Sequence, residues 1–197
     1  MINLACKIPK KIVLACSGGK DSMSALDFLL RGRREVTVAY YDHGTQHGKN
    51  AFEFVKNICN NHNLPFVYGK CNDTPPPGVS KENFWREHRY EFFKSLREPI
   101  ITGHHLDDAV EWWIFSSLRG NPRLIPVKRE NPKILRPFLW SCKKDLHTQL
   151  KRFDYIEDPT NENTNFARNY IRHNLGPLCL NVNPGLAKTV RNLYERH

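Results

Sequence analysis

Ser17-Gly18-Gly19-Lys20-Asp21-Ser22 is the segment whose residue types and order carry the most chemistry. It follows an apolar run, Ile12-Val13-Leu14-Ala15-Cys16, and precedes Met23, Leu26, Leu29 and Leu30 at helical spacing. A strand, a glycine turn and a helix start make a place for phosphate. Glycine reaches backbone angles other residues resist and lets an anion come close. The helix N-terminus adds unpaired N–H donors and partial positive charge. Ser17 and Ser22 offer hydroxyl donors, and Asp21 is a hard oxygen ligand of the kind Mg²⁺ takes. The segment is not a Walker A loop, because Leu14 and Asp21 stand where that motif requires Gly and Ser or Thr. An ordinary strand-to-helix turn with an acidic first helical residue remains the simpler alternative.

A second group is Gly103-His104-His105-Leu106-Asp107-Asp108-Ala109-Val110-Glu111. On a helix, Asp107 and Glu111 share a face and Asp108 lies about 100° round. Carboxylates there could hold Mg²⁺ against phosphates, although acidic residues in a first turn also suit the helix dipole. The remaining groups are weaker taken singly. Tyr41-Asp42-His43-Gly44 reads equally as a turn after a strand. Glu82, Arg86, Arg89 and Tyr90 could be surface pairing, or Arg89 could reach a phosphate. Asp158-Pro159-Thr160-Asn161 precedes Arg168 and Arg172, whose spacing puts two guanidinium groups on one helical face, suited to a phosphate backbone or merely exposed.

The elements that position these groups alternate. Strands are expected at 12–16, 36–41, 65–68 and 100–102, and helices at 51–59, 81–96 and 106–118. Alternation implies a parallel twisted sheet flanked by helices, with ligands at the carboxyl ends of the strands. Three of the groups fall there. After Gly120 the segment is rich in Pro and Asn, and helices are expected at about 142–153, with Leu146, Leu150 and Phe153 on one side, at 165–175 and at 186–194. The expected organisation is an α/β core over 1–120 and a loop-rich, helical extension over 121–197.

The 197 residues carry a net charge of +10 and are 40% hydrophobic, enough for a buried core. Residues 1–118 hold 15 Lys/Arg against 13 Asp/Glu, and residues 119–197 hold 15 against 7. The basic excess is therefore C-terminal and favours a polyanionic partner such as nucleic acid. Six cysteines stand at 6, 16, 59, 71, 142 and 179 with no Cys-x-x-Cys pair, which fits neither a zinc or iron–sulfur framework nor a secreted disulfide scaffold. Lys7, Lys10 and Lys11 interrupt any signal-peptide core, no run is long enough to span a membrane, and a cytoplasmic location is expected.

Together the motifs resemble the tRNA(Ile)-lysidine synthetases of the PP-loop (N-type ATP pyrophosphatase) superfamily. The resemblance runs in order from about residue 10 to 180. It rests on Ser-Gly-Gly-x-Asp-Ser, Asp42-His43-Gly44, Glu82 with Arg86, Arg89 and Tyr90, and His104-His105-x-Asp107-Asp108-x-x-Glu111. Leu118-Arg119-Gly120, Arg136-Pro137, Asp158-Pro159-Thr160-Asn161 and Arg168-Asn169-x-x-Arg172 complete it. It implies an adenine nucleotide alpha hydrolase-like, Rossmann-like fold and a catalytic domain with no separate C-terminal tRNA-binding domain. It implies a ligase forming a carbon–nitrogen bond: ATP adenylates C2 of cytidine 34 of tRNA(Ile), lysine replaces AMP, and AMP and pyrophosphate are released. The implied catalytic residues are Asp21, His43, His104, Asp107, Asp108 and Glu111. ATP falls to Ser17, Gly18, Gly19, Lys20, Asp21 and Ser22, with Lys20 at the variable position of the loop. Mg²⁺ falls to Asp21, Asp107 and Asp108, and tRNA to Arg86, Arg89, Arg168 and Arg172. The partners are tRNA(Ile) and free L-lysine, with a homodimer as the oligomer considered and no membrane. The chain departs from the family at Thr45-Gln46, Trp112 and 121–124, near the amino-acid pocket and the RNA fit. The alternatives are a tRNA thiolase-like PP-loop enzyme, for which paired cysteines are wanting, and a non-catalytic ATP- or tRNA-binding module.

Overall fold

The computed structural model describes residues 1–44, 46–164 and 166–195, with the side chains at 46, 47, 82, 160 and 161 outside the description. Six strands form one sheet: β1 (Lys11–Ala15), β2 (Glu35–Asp42), β3 (Phe66–Lys70), β4 (Ile100–Ile101), β5 (Lys128–Arg129) and β6 (Ile134–Leu135). Their order is β3-β2-β1-β4-β6-β5, all parallel except that β5 runs antiparallel to β6. The central β1 is buried on both faces at Ile12, Val13 and Leu14, which is why it reads as a continuous apolar run and not as an alternation.

Helices α1 (Lys20–Arg31), α2 (Gln46–Asn61), α3 (Lys81–Lys94) and α4 (Leu106–Leu118) follow β1, β2, β3 and β4. Ile12, Leu14, Met23, Leu26, Leu29, Val38 and Val55 pack into one core, and Val13, Ala39, Phe93, Ile100 and Ile134 into another. The mostly parallel sheet with flanking helices matches the α/β architecture read from the sequence. Strand order reverses between β1 and β4, so the turns leaving these two strands lie side by side. The approach is close: a Cβ added at Gly103, just past β4, would stand 3.2 Å from the Asp21 backbone.

The C-terminal part differs from expectation in two ways. It supplies the two-residue strands β5 and β6 to the sheet, which no flanking helices set off in the sequence as they do β4. The helix expected over 142–153 is only α5 (Lys143–His147). Beyond it the N–H groups of Lys151 and Arg152 donate to the Asp27 carboxylate at 2.6 and 2.9 Å, which draws the chain away from helical pairing. Leu146 and Phe153 are both buried, but only the first on a helix. The helical stretch after residue 166 runs as α6 (Ala167–Tyr170), a π-helical turn (Ile171–Leu175) and α7 (Gly176–Val182), followed by α8 (Leu186–Glu195). Among the described residues no helix is long and apolar enough to cross a membrane.

Candidate active site

The loop between β1 and α1 is held from within. Gly18 has φ +81°, the left-handed region that favours glycine, and a Cβ there would press on Ile156, Phe54 and Val55 at 3.2 Å. Ser22 Oγ donates to Gly19 O at 2.9 Å and accepts from Ser17 N–H at 3.3 Å, so Ser22 shapes the loop. Gly19 is the α1 N-cap and no side chain caps it. The Lys20 ammonium lies 4.9 Å from the centre of the Tyr155 ring.

Asp21 joins this loop to the start of α4. Its Oδ1 lies 2.5 Å from His147 Nε2 and 3.5 Å from His105 Nε2. Partial burial opposes the Asp21 charge, but the close His105 ring, with the His147 hydrogen bond and the Lys143 charge, holds its carboxyl well below the usual range. His105 is the N-cap of α4, in a reciprocal arrangement in which Asp108 Oδ2 accepts its backbone N–H at 3.0 Å. Its Nδ1 lies 3.4 Å from Asp108 Oδ2 and 3.6 Å from Asp107 Oδ2. Burial disfavours the charged ring, yet the surrounding carboxylates of Asp108, Asp21 and Asp107 raise its pKa above the ordinary value. His104 behaves oppositely. Its Nδ1 is 2.8 Å from Thr102 Oγ1, and burial, with the charges of Arg136, Arg168 and Arg89, pushes its pKa down to about 4 against the pull of Asp108.

Arg168 and Arg172 reach this centre from the other side. Arg168 Nη2 donates to Asp108 Oδ1 at 3.1 Å, and its Nε is 3.6 Å from Glu111 Oε2. Arg172 takes Glu111 in a fork, Nε to Oε1 at 2.8 Å and Nη2 to Oε2 at 2.9 Å, a geometry only Arg provides. Spacing alone left open which carboxylates of α4 meet the arginines. The inward pair is Asp108 and Glu111, three apart, because Asp107 turns outward and accepts Lys143 N–H at 2.7 Å. The two arginines share a helical face as expected, but that face turns to carboxylates and not outward.

His43 stands in a second group at the β2 end, and Arg86 is not among the residues around it. The His43 ring packs against Tyr41 and Trp85 at centroid distances of 5.2 and 5.6 Å, and burial pushes its pKa down to about 4, with Arg89 adding to the effect. Arg86 lies 5.2 Å from the centre of the Tyr90 ring. Arg89 acts on both His43 and His104, so it stands between the two groups. His43 and Trp85 line a cleft of about 490 Å³ whose rim carries Lys49, Lys70 and Lys81. The Glu82 side chain, together with Thr160 and Asn161 of the Asp-Pro-Thr-Asn motif, lies outside the description.

His147, Thr102 and the residue pair Tyr155-Ile156 were not singled out by the sequence. His147 and Tyr155-Ile156 meet the site only through tertiary contact across many residues, whereas Thr102 meets His104 two residues on; none belongs to a spaced motif. Among the described residues no group of three or more His, Cys, Asp or Glu side chains is placed to hold a metal ion by itself.

The family model described as PP-loop domain matches residues 3–179. Curated relatives include the tRNA(Ile)-lysidine synthase of Petrotoga mobilis, 33% identical over 199 residues that span 88% of this chain and 61% of the relative. That of Thermotoga maritima is 31% identical over 205 residues, 93% of this chain and 49% of the relative. The chain thus spans about half the length of the curated relatives it matches. Among solved structures, the U34-tRNA thiolase NcsA of Methanococcus maripaludis superposes with a TM-score of 0.73 at 14% identity, over 96% of this chain and 73% of that one, a likeness of fold.

Proposed function

Because the chain belongs to the PP-loop domain family, we propose that it carries out ATP-dependent tRNA modification of the lysidine-forming kind. AMP passes from ATP to the C2 oxygen of cytidine 34 in tRNA(Ile) with a CAU anticodon, and pyrophosphate leaves. The amine of free lysine then attacks C2, and AMP departs with the oxygen. The observation that carries this reading is one unbroken set of contacts, Asp21–His105–Asp108–Arg168 with Glu111–Arg172, built from three distant segments. The curated relatives named tRNA(Ile)-lysidine synthase support the substrates.

In this reading the uncapped α1 start and the Gly18–Gly19 turn bind the phosphates of ATP. Neutral His104 donates or accepts a hydrogen bond without adding charge. Asp108 and Glu111 form an anionic pair that already holds two guanidinium groups, so its chemistry suits the ammonium groups of lysine. Lysine takes its place as Arg172 gives way, and Glu111 accepts a proton from the attacking amine. Arg168 and the displaced Arg172 then offer donors to phosphate oxygens.

Mg²⁺ is usually held by one or two carboxylates plus substrate phosphates. Asp21 and Asp107 fit that role, with side chains 43% and 49% exposed and reaching the two nitrogens of the same imidazole. Asp108 fits it poorly, because its Oδ1 is committed to Arg168 and Arg172. The ion would supply neutralisation of charge on the leaving pyrophosphate. The test is AMP and pyrophosphate release with and without unmodified tRNA(Ile). Release that requires this tRNA supports the proposal, and release unaffected by any tRNA overturns it.

A further inference from the structure

The segment after α5 is fastened to α1 at one end and to the phosphate loop at the other. Asp27, in the middle of α1, has a side chain with 0% exposure. Its carboxylate accepts Lys151 N–H at 2.6 Å, Arg152 N–H at 2.9 Å, Arg152 Nε–H at 2.8 Å and Arg31 Nε–H at 3.2 Å. Arg31 Nη2 also donates to the Gln149 carbonyl and side-chain oxygens, both at 2.9 Å. A buried carboxylate is costly unless its oxygens are met, and here four N–H donors meet it.

Four residues beyond Arg152, the strap reaches the loop. Ile156 N–H donates to Gly18 O at 2.9 Å, and the Ile156 side chain fills the space beside Gly18. The Tyr155 ring lies against the Lys20 ammonium. In a trans peptide the carbonyl and the next N–H point in opposite directions. Fixing Gly18 O therefore aims Gly19 N–H away from the strap, where it makes only a long 3.4 Å contact with Ser17 Oγ. That N–H is one of the donors an incoming phosphate would meet.

We infer that Asp27 is a positioning residue for the phosphate loop: through residues 149–156 it holds the Gly18–Gly19 peptide in the orientation that receives a nucleoside triphosphate. The inference rests on the proposed nucleotide use of the loop, but its test needs neither lysine nor lysidine formation. The dissociation constant for Mg²⁺–ATP is measured by calorimetry on wild type, Asp27→Asn, Ile156→Ala and Ile156→Pro, with tRNA affinity and thermal melting in parallel. Ile156→Ala keeps the N–H donor and Ile156→Pro removes it. Asp27→Asn and Ile156→Pro are expected to weaken ATP by about tenfold, with Ile156→Ala closer to wild type and tRNA affinity within about twofold in all.

Folded Asp27→Asn that binds ATP as wild type does, or folded Ile156→Pro that matches Ile156→Ala, overturns the inference. If a variant does not fold, amide exchange of the wild type decides. Joint protection of Lys151, Arg152 and Ile156, deepened at Ile156 and Gly19 by ATP, supports it, and exchange there as free as in an unfolded chain overturns it. Wild type that fails to bind ATP overturns the nucleotide reading and this inference with it. Wild type that binds ATP but forms no lysidine overturns the lysine assignment alone.

Discussion

Arg172 grips Glu111 through two parallel bonds of 2.8 and 2.9 Å, across the interface between α4 and the π-helical turn that carries the arginine. The Glu111 hydrogen bonds are also the leading reason that Arg172 holds its proton more tightly than usual. A carboxylate 11% exposed that loses its partner is left poorly solvated, whereas losing both ends is cheaper. A double-mutant cycle with Glu111→Gln and Arg172→Met, read by denaturant unfolding, is expected to give a coupling of about 1–3 kcal/mol. A coupling indistinguishable from zero would show that the pair does not hold α4 to this turn.

Asp21 is half exposed and lies among cationic partners, so its replacement bears more on chemistry than on folding. Asp21→Asn keeps the shape and removes the charge. AMP formation is expected to fall by about 10²–10³-fold, with the melting temperature lowered only modestly, because the carboxylate that the fold favours is 43% exposed. Equal turnover in the two proteins would remove Asp21 from the reaction.

Three of the histidines around the site should separate by pH. The His43 and His104 rings, both with pKa pushed down to about 4, stay neutral at pH 7, whereas His105 titrates above the ordinary value. For the lowered pair the unfolded chain binds protons first as pH falls from about 6.5. Their contribution to stability therefore declines between about 6.5 and 4, and is flat above that window. His105 has the opposite sign: its contribution is present in acid and is lost as pH rises through its raised pKa. Ring resonances followed by NMR check this, with His43 and His104 unmoving from pH 8 to 6 and the His105 midpoint above the ordinary value. A His104 midpoint near 6.5 would contradict the burial argument.

The arginines should divide by salt dependence of tRNA binding. Arg86 is exposed and meets the Tyr90 ring, so Arg86→Ala is expected to weaken binding and lower the salt slope by about one. With no lysine present Arg172 is neutralised by Glu111, so in lysine-free buffer Arg172→Ala should leave the slope nearly unchanged. Equal slopes for wild type and Arg86→Ala would exclude a phosphate contact there.

The sheet was legible because β1 to β4 are apolar runs separated by amphipathic helices. The loop was legible because its glycines and acidic residue are adjacent in sequence. Strands β5 and β6 were not: β4 is as short but stands between two amphipathic helices, whereas β5 and β6 lie in a Pro- and Asn-rich segment with no helix between them. The false continuation of α5 came from Leu146, Leu150 and Phe153, whose helical spacing is real but is overridden by Asp27 pulling on Lys151 and Arg152. The site residues of α4 were found as a set, but not which of them meet the arginines. Periodicity gave Asp107 with Glu111, whereas the N-cap role of His105 ties Asp108 inward and the Lys143 N–H holds Asp107 out. His147 left no local signal, because its contact with Asp21 spans 126 residues.

The most direct test of the central claim incubates the purified protein with ATP, Mg²⁺, labelled lysine and unmodified tRNA(Ile) bearing a CAU anticodon. Label is then counted on the tRNA, and the modified nucleoside is located by digestion and mass spectrometry. The account predicts ATP-dependent label on cytidine 34 that disappears with Asp21→Asn. Tightly bound tRNA that gains no lysine, with AMP released in the same reaction, would contradict it by showing that the adenylated intermediate meets another nucleophile.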